Sequence, residues 1–352
     1  MTTAFSQYLN IHQAYAQSFS PDGKRVSFLT NITGVPQVWV VDVEGGWPDQ
    51  LTFDTERVSG AEFSPTKKHL VFSRDVGGNE KAQIFLVNGD GSGERKLTHA
   101  DDAVHLFGAW SKDGKQIAFT ANRRDKSRFD IYVQNIDEDE AKLVWENNLP
   151  GFLVAADFSP DSSRLLVYLH QNSMNQDIFE LEIESGEMRK LSEHEGSVRY
   201  QFPVYSADGK SVYSSCDKDR DLLTLVQIQL DDLQHQFLGE TKYEIEYIVA
   251  SGDGHWLLWV ENNEGAHQFN LMDLITDQVV QPKDMPVGVL SYFSPPVFSP
   301  DNQRVAFGFS TPTRTSDIWV WDIRQDQLYT ATQSSHAGIP TSSFNWTLHI
   351  SS

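Results

Sequence analysis

Short segments in which apolar and polar residues alternate recur along the whole chain. "KRVSFLT" (24–30), "KQIAFTA" (115–121) and "QRVAFGF" (303–309) each predict a strand with one face buried. A turn precedes each of them, in the variants "FSPDGKRVSF" (19–28), "FSPTKKHLVF" (63–72), "WSKDGKQIAF" (110–119), "FSPDSSRLLV" (158–167), "YSADGKSVYS" (205–214) and "FSPDNQRVAF" (298–307). Proline presets the entry into such a turn, while Asp and Gly accept the backbone angles that close it. A β-branched and aromatic strand follows, as in "QVWVVDV" (37–43), "DIYVQNI" (130–136) and "DIWVWDI" (317–323). A second turn then leads to a short strand such as "DQLTF" (49–53) or "RKLTH" (95–99).

The repeat serines are Ser20, Ser64, Ser111, Ser159, Ser206 and Ser299, with a degenerate copy at Ser251 in "ASGDGHWLLWV" (250–260), in steps of 44 to 48 residues. Four strands per unit of this length match a propeller blade, so the fold expected is an all-β, seven-bladed β-propeller of four-stranded antiparallel blades. An eighth blade arises only if the chain's tail pairs. No unit carries an amphipathic helical pattern, which excludes a helical solenoid. The propeller is expected over 1–333, with blades at about 8–53, 54–99, 100–146, 147–193, 194–240, 241–283 and 284–333, and a tail over 334–352.

With strands named A to D from the inside outward, the Ser-Pro-Asp-Gly turn joins A to B. The A–B and C–D turns then share one face, and the B–C loops and D–A connections share the other. Blade one starts with its own A strand and blade seven ends with its own D strand, so both chain ends leave on the B–C/D–A face.

Composition narrows the function. A formal net charge of −21, from 28 Lys+Arg against 49 Asp+Glu, repels phosphate backbones and anionic lipid, so neither nucleic acid nor membrane is an expected partner. No apolar run reaches the length of a signal peptide core or a membrane span, and a single cysteine, Cys216, excludes an internal disulfide framework. These features point to a cytoplasmic protein with Cys216 as a buried apolar filler.

Four phrases carry a more specific likeness: "VPQVWVVDVEGGWPDQLTFDTERVS" (35–59), "VGGNEKAQIFLV" (76–87), "FGAWSKDGKQIAFTANRRD" (107–125) and "TPTRTSDIWVWDI" (311–323). Their order and spacing resemble the propeller of the prolyl oligopeptidase family of serine peptidases, in its acylaminoacyl-peptidase-like branch, over about 8–344. The blade motif alone is shared with the Tol-system propeller. The resemblance implies a propeller that caps an α/β-hydrolase domain and admits only short, or N-acylated, peptides. The Gly-x-Ser-x-Gly elbow of that hydrolase is absent from this sequence, so no catalytic residue is assigned and the chain is not expected to be an enzyme on its own. "HAGIPTSSF" (336–344) resembles the approach to the hydrolase, and "NWTLHISS" (345–352) does not continue it. The tail therefore reads either as severed near Asn345 or as an added edge strand through Trp346, Leu348 and Ile350.

Neither a metal nor a cofactor is expected. The eleven histidines lack paired spacing, and "NGDGSGE" (88–94) puts His99 where a calcium loop needs its bidentate glutamate. Glu138 and Asp139 read as solvated charge in a C–D turn. Trp39, Trp319 and Trp321 read as core, and Trp47 as partly exposed. The binding candidates are the charged and polar residues of the B–C/D–A face: Glu56, Arg57, Asn79, Glu80, Arg123 and Arg124. They could orient peptide termini or pin a partner domain; as ordinary blade residues they would form intrablade ion pairs or stay solvated. Partners are then an α/β-hydrolase domain and short peptides, or, for a standalone scaffold, another protein.

Overall fold

In the computed structural model, which describes residues 5–291 and 294–344, the serine of each repeat closes its own turn. The Ser20 hydroxyl donates to Asp22 at 2.7 Å and accepts the Arg25 backbone N–H at 3.0 Å. Ser159 does the same with Asp161 at 2.6 Å and Arg164 at 2.9 Å, and Ser111, Ser206, Ser251 and Ser299 repeat it. Each buried hydroxyl thus ties the end of strand A to the start of strand B. Blade 2 has Thr66 in place of the aspartate, and there Ser64 accepts the Lys67 N–H at 3.2 Å. Outside blade 2 the turn also uses one left-handed residue. Gly23 fills that slot at φ 67°, whereas blades 4 and 7 force Ser162 and Asn302 into it at 60° and 56°.

A second recurring clasp joins strands C and D. Thr52, Thr98, Ser192 and Thr332 each accept a backbone N–H from a C strand, that of Val38, Ile84, Ile178 and Ile318 respectively, at 2.9 to 3.0 Å. The last three hydroxyls then donate to the side chain of the residue just before that N–H, Gln83, Asp177 or Asp317. These clasps explain the Leu-Thr or Leu-Ser that follows the short strands of blades 1, 2 and 4.

Seven antiparallel sheets follow in chain order, each running A-B-C-D outward. The A strands are Ala14–Phe19, Val58–Phe63, His105–Trp110, Phe152–Phe158, Tyr200–Tyr205 and Ile245–Ala250, followed in blade 7 by the split pair Val289–Leu290 and Val297–Phe298. A single inner strand was expected in blade 7. Pro295 and Pro296 lack the N–H that would continue its ladder, and both halves pair separately with the B strand Arg304–Thr311. The tail strand expected through Trp346, Leu348 and Ile350 lies outside the described residues.

The core lies in the wedges between blades, where alternate residues of strands B and C meet the preceding blade. Phe28, Trp39 and Val41 of blade 1 pack with Ala306, Ile318 and Val320 of blade 7. Trp321 is 1% exposed and Trp319 is partly buried against the blade 6–7 core. Cys216 is buried, and its surroundings push the thiol up to about 11, which suits an inert filler. Glu138 and Asp139 are exposed, and Trp47 is 92% exposed. Among the described residues, closure between blades 7 and 1 uses no shared strand. The Ser316 hydroxyl donates to Ala14 O at 2.6 Å, His12 N to Ser335 O at 2.9 Å, and Arg304 Nη2 to Gly23 O at 3.0 Å.

Candidate docking face and inner cavity

The order of strands puts the B–C loops, the D–A connections and the segments next to both ends of the ring on one face. Blades 3, 4, 6 and 7 extend this face further, because their B strands run eight to ten residues against six in blades 1, 2 and 5. Large apolar side chains stand exposed here: Phe5, Leu9, Ile32, Phe53, Val76 and Met174, with Phe53 at 76%. On the C–D turns of the opposite face, Trp47 and Ile275 are the large exposed residues.

The six sequence candidates all fall on this face, but none bonds to another among the described residues. Glu56 is half-buried and is held by its backbone, its N–H on Asp54 and its C=O on the Gln37 side chain. Arg57 is exposed; burial raises the Tyr15 hydroxyl above its ordinary value and the Arg57 charge opposes that rise. Asn79 accepts the Lys81 N–H at 2.9 Å, and Glu80, at φ 59°, donates its own N–H to Asp75. Arg124 grips Asp130 through two bonds of 3.0 and 2.8 Å, an intrablade ion pair. Its carboxylate partner also accepts the Asn147 N–H, so this arginine braces strands B, C and D.

Arg123 differs. Its guanidinium lies 5.2 Å above the Phe119 ring and 4.9 Å above Tyr132, and its Nε–H donates to His105 Nε2 at 2.8 Å. His105 Nδ1 lies 3.2 Å from Ala82 O, an acceptor, which assigns the proton to Nδ1 and leaves Nε2 to accept. Burial pushes His105 down to about 4, and the Arg123 charge adds to the effect, so the ring is neutral at pH 7. No carboxylate pairs with Arg123 among the described residues.

His105 also borders a cavity of 520 Å³ between the inner strands of blades 1, 2, 3 and 7, together with Gln17, Gly60, Glu62, Phe107 and Ser294. Glu62 is exposed toward this cavity, with the inner strands of the neighbouring blades around it. That enclosure pushes it up to about 7; Lys112 opposes the rise and Asp157 adds to it. Lys112 itself bonds Asp157 at 2.6 Å. The sequence reading missed Glu62. The signal was its place two residues before a repeat serine, where the inner strands hold Ser18, Ala109 and Asp157. No group of three or more His, Cys, Asp or Glu that could hold a metal occurs among the described residues. What the face offers chemically is apolar contact, cations such as Arg57 and Arg123 that have no carboxylate partner among the described residues, and a lined cavity.

The model of the TolB beta propeller domain matches residues 6–144 and 90–281 of the chain. The Uncharacterized peptidase YuxL of Bacillus subtilis (strain 168) is 23% identical over 198 residues, which is 54% of this chain and 28% of that protein. A solved prolyl endopeptidase superposes with a TM-score of 0.76 at 13% identity, covering 96% of this chain and 52% of that one. An oligogalacturonate lyase in complex with manganese superposes with a TM-score of 0.70 at 13% identity, covering 88% of this chain and 89% of that one. At these identities the structural likeness shows the fold. The chain spans about half the endopeptidase, and the YuxL match just over a quarter of that relative. No helix among the described residues is long and apolar enough to cross a membrane.

Proposed function

The chain belongs to the TolB beta propeller domain family, and we propose that it is the non-catalytic, substrate-gating propeller of a prolyl-oligopeptidase-type serine peptidase, docking an α/β-hydrolase domain on its B–C/D–A face. The observation that carries this reading is the set of exposed apolar side chains there, Phe53, Val76 and Met174 among them. A face that gathers several large exposed apolar side chains suits an interaction site, and an interface between domains has this mixture of apolar contacts and charged rim. Arg57, Glu80 and Arg123 supply the rim charges that fix orientation. The peptide would reach the hydrolase through the bore, past Glu62 and His105, which restricts entry to short chains.

The test mixes the full chain with an α/β-hydrolase domain taken from a prolyl-oligopeptidase-type enzyme of the same cell. The expected result is association, with hydrolysis confined to short or N-acylated peptides. Phe53→Asp with Val76→Asp weakens association by about tenfold or more. Absence of association overturns the reading, as does binding indifferent to these changes. Recruitment of non-peptidase proteins through the same residues would replace it with a scaffold.

A further inference from the structure

The wedge between blades 7 and 1 is built on the same plan as its neighbours but lacks their arginine. In blade 2, Phe72 and Phe85 are cross-strand partners stacked at 5.2 Å, and the Arg74 guanidinium lies 4.3 Å over Phe85. Arg74 is neutralised by Asp54, which follows the clasp residue Thr52 of blade 1, and by Glu94 at 3.3 Å. Blade 3 repeats the device with Arg123 over the stacked pair Phe119 and Tyr132. In blade 1 the corresponding ring pair is Phe28 and Trp39, again cross-strand partners. Thr30 stands at the register position of Arg74, opposite Gln37 as Arg74 is opposite Gln83. Ser334 follows the clasp residue Thr332 by two positions, as Asp54 follows Thr52.

Two short hydroxyl residues thus replace an ion pair, and a cleft of 630 Å³ opens between the blades. Phe28, Thr30, Trp39, Glu44, Trp47 and Ser334 are among the residues lining it. Trp39 is only 8% exposed, and its Nε1 is buried without a hydrogen-bond partner among the described residues. A buried indole N–H without an acceptor is costly and calls for one.

We infer that this seam cleft binds the guanidinium side chain of a short arginine-containing peptide, which takes the place that Arg74 fills in blade 2. Tryptophan is the strongest of the aromatic faces for a cation, and a planar guanidinium stacks where an ammonium does not. The Thr30 and Ser334 hydroxyls can accept its N–H groups, and the ring of Trp39 lies beside the cation. Glu44 and the −21 net charge favour a cation over an anion. The inference stands apart from the docking reading, because it concerns the wedge between blades 7 and 1 and needs no hydrolase.

The probe is N-acetyl-L-arginine methylamide, titrated into the full chain while the Trp39 indole N–H is followed by NMR and heat by calorimetry. Trp39→Phe identifies that indole signal. Saturable binding is expected, with the uncharged citrulline counterpart weaker by about tenfold. Thr30→Arg combined with Ser334→Asp rebuilds the blade 2 pair inside the cleft and abolishes binding while melting no earlier than the wild type. Trp39→Phe weakens binding without that refilling, so the conclusion does not hang on one variant. A Trp39 indole that does not respond overturns the inference, whether the cleft repels the probe or another part of the chain covers it. Equal affinity for arginine and citrulline overturns it too.

Discussion

Thr30 and Arg74 occupy one structural position in successive blades: each ends its B strand, and each faces the glutamine that opens the C strand, Gln37 or Gln83. One is a short hydroxyl beside a cleft. The other is a cation pressed on two rings and held by two carboxylates. The comparison separates what a blade needs in order to fold from what a wedge needs in order to be full.

Arg74→Ala should therefore open a second cleft, between blades 1 and 2. The loss removes ring contacts and leaves Asp54 and Glu94 without their partner, though both are partly exposed and water compensates them. A stability loss of about 1–2 kcal/mol is expected, read as a lower midpoint in urea with an unchanged slope. No change in midpoint would show that the ion pair contributes nothing.

The turn serine is the most economical test of the repeat. Ser159→Ala removes the acceptor for the Arg164 N–H and the donor to Asp161, and should cost about 1–2 kcal/mol. Asp161 is held down to about 2, first by Ser159 and then by Ser163. Its folded value lies below the unfolded one, so its contribution is present above the ordinary carboxylate pKa and fades as pH falls through about 2. In Ser159→Ala this acid dependence should shrink. Melting curves of the two proteins from neutral to acid pH decide the matter.

Much of the fold was legible because its periodic residues act locally. Ser20, Asp22 and Gly23 close a turn among themselves, and Thr52 reaches Val38 within the same blade. Such short-range grammar survives in a one-dimensional pattern. Arg123 and Arg124 show where that legibility stops. Adjacent and chemically identical, they point to different neighbours: Arg124 to Asp130 in its own blade, Arg123 to rings and to His105. Their different fates depend on strand direction and on a bulge between Ala121 and Asp125, which no spacing announces. The cleft was hidden for another reason. Thr30 and Ser334 lie three hundred residues apart in order of magnitude, and only ring closure sets them side by side.

His105 should titrate well below an ordinary histidine, near 4. Since its folded value is depressed, the stability tied to the neutral ring is complete above the ordinary histidine pKa and declines as pH falls toward 4. Arg123→Met removes the positive neighbour and should raise the His105 value partway, burial keeping it below normal. The carbon-bound ring protons of His105, followed by NMR across pH, measure both values. An unchanged value would mean that Arg123 exerts no electrostatic influence there.

Glu62 behaves in the opposite sense. Its carboxyl is raised to about 7, so between the ordinary carboxylate value and about 7 the folded protein holds a proton that the unfolded chain releases. Its contribution to stability falls as pH rises through that window. Glu62→Gln should abolish this component, gaining on the wild type at neutral pH and not at pH 4. Parallel melting curves for the two proteins across the window would show the group to be solvated and ordinary.

The closure between blades 7 and 1 carries a consequence for assembly. Six junctions join blades that are neighbours in the chain, so each can form as soon as its two blades exist. The seventh joins Ala14 and Phe28 to Ile318 and Ala331 across nearly the whole polypeptide, and contacts so distant in sequence carry the largest chain entropy. A molecule cyclic in outline thus keeps a first and a last blade in its folding order. It should close there last on refolding and part there first under strain.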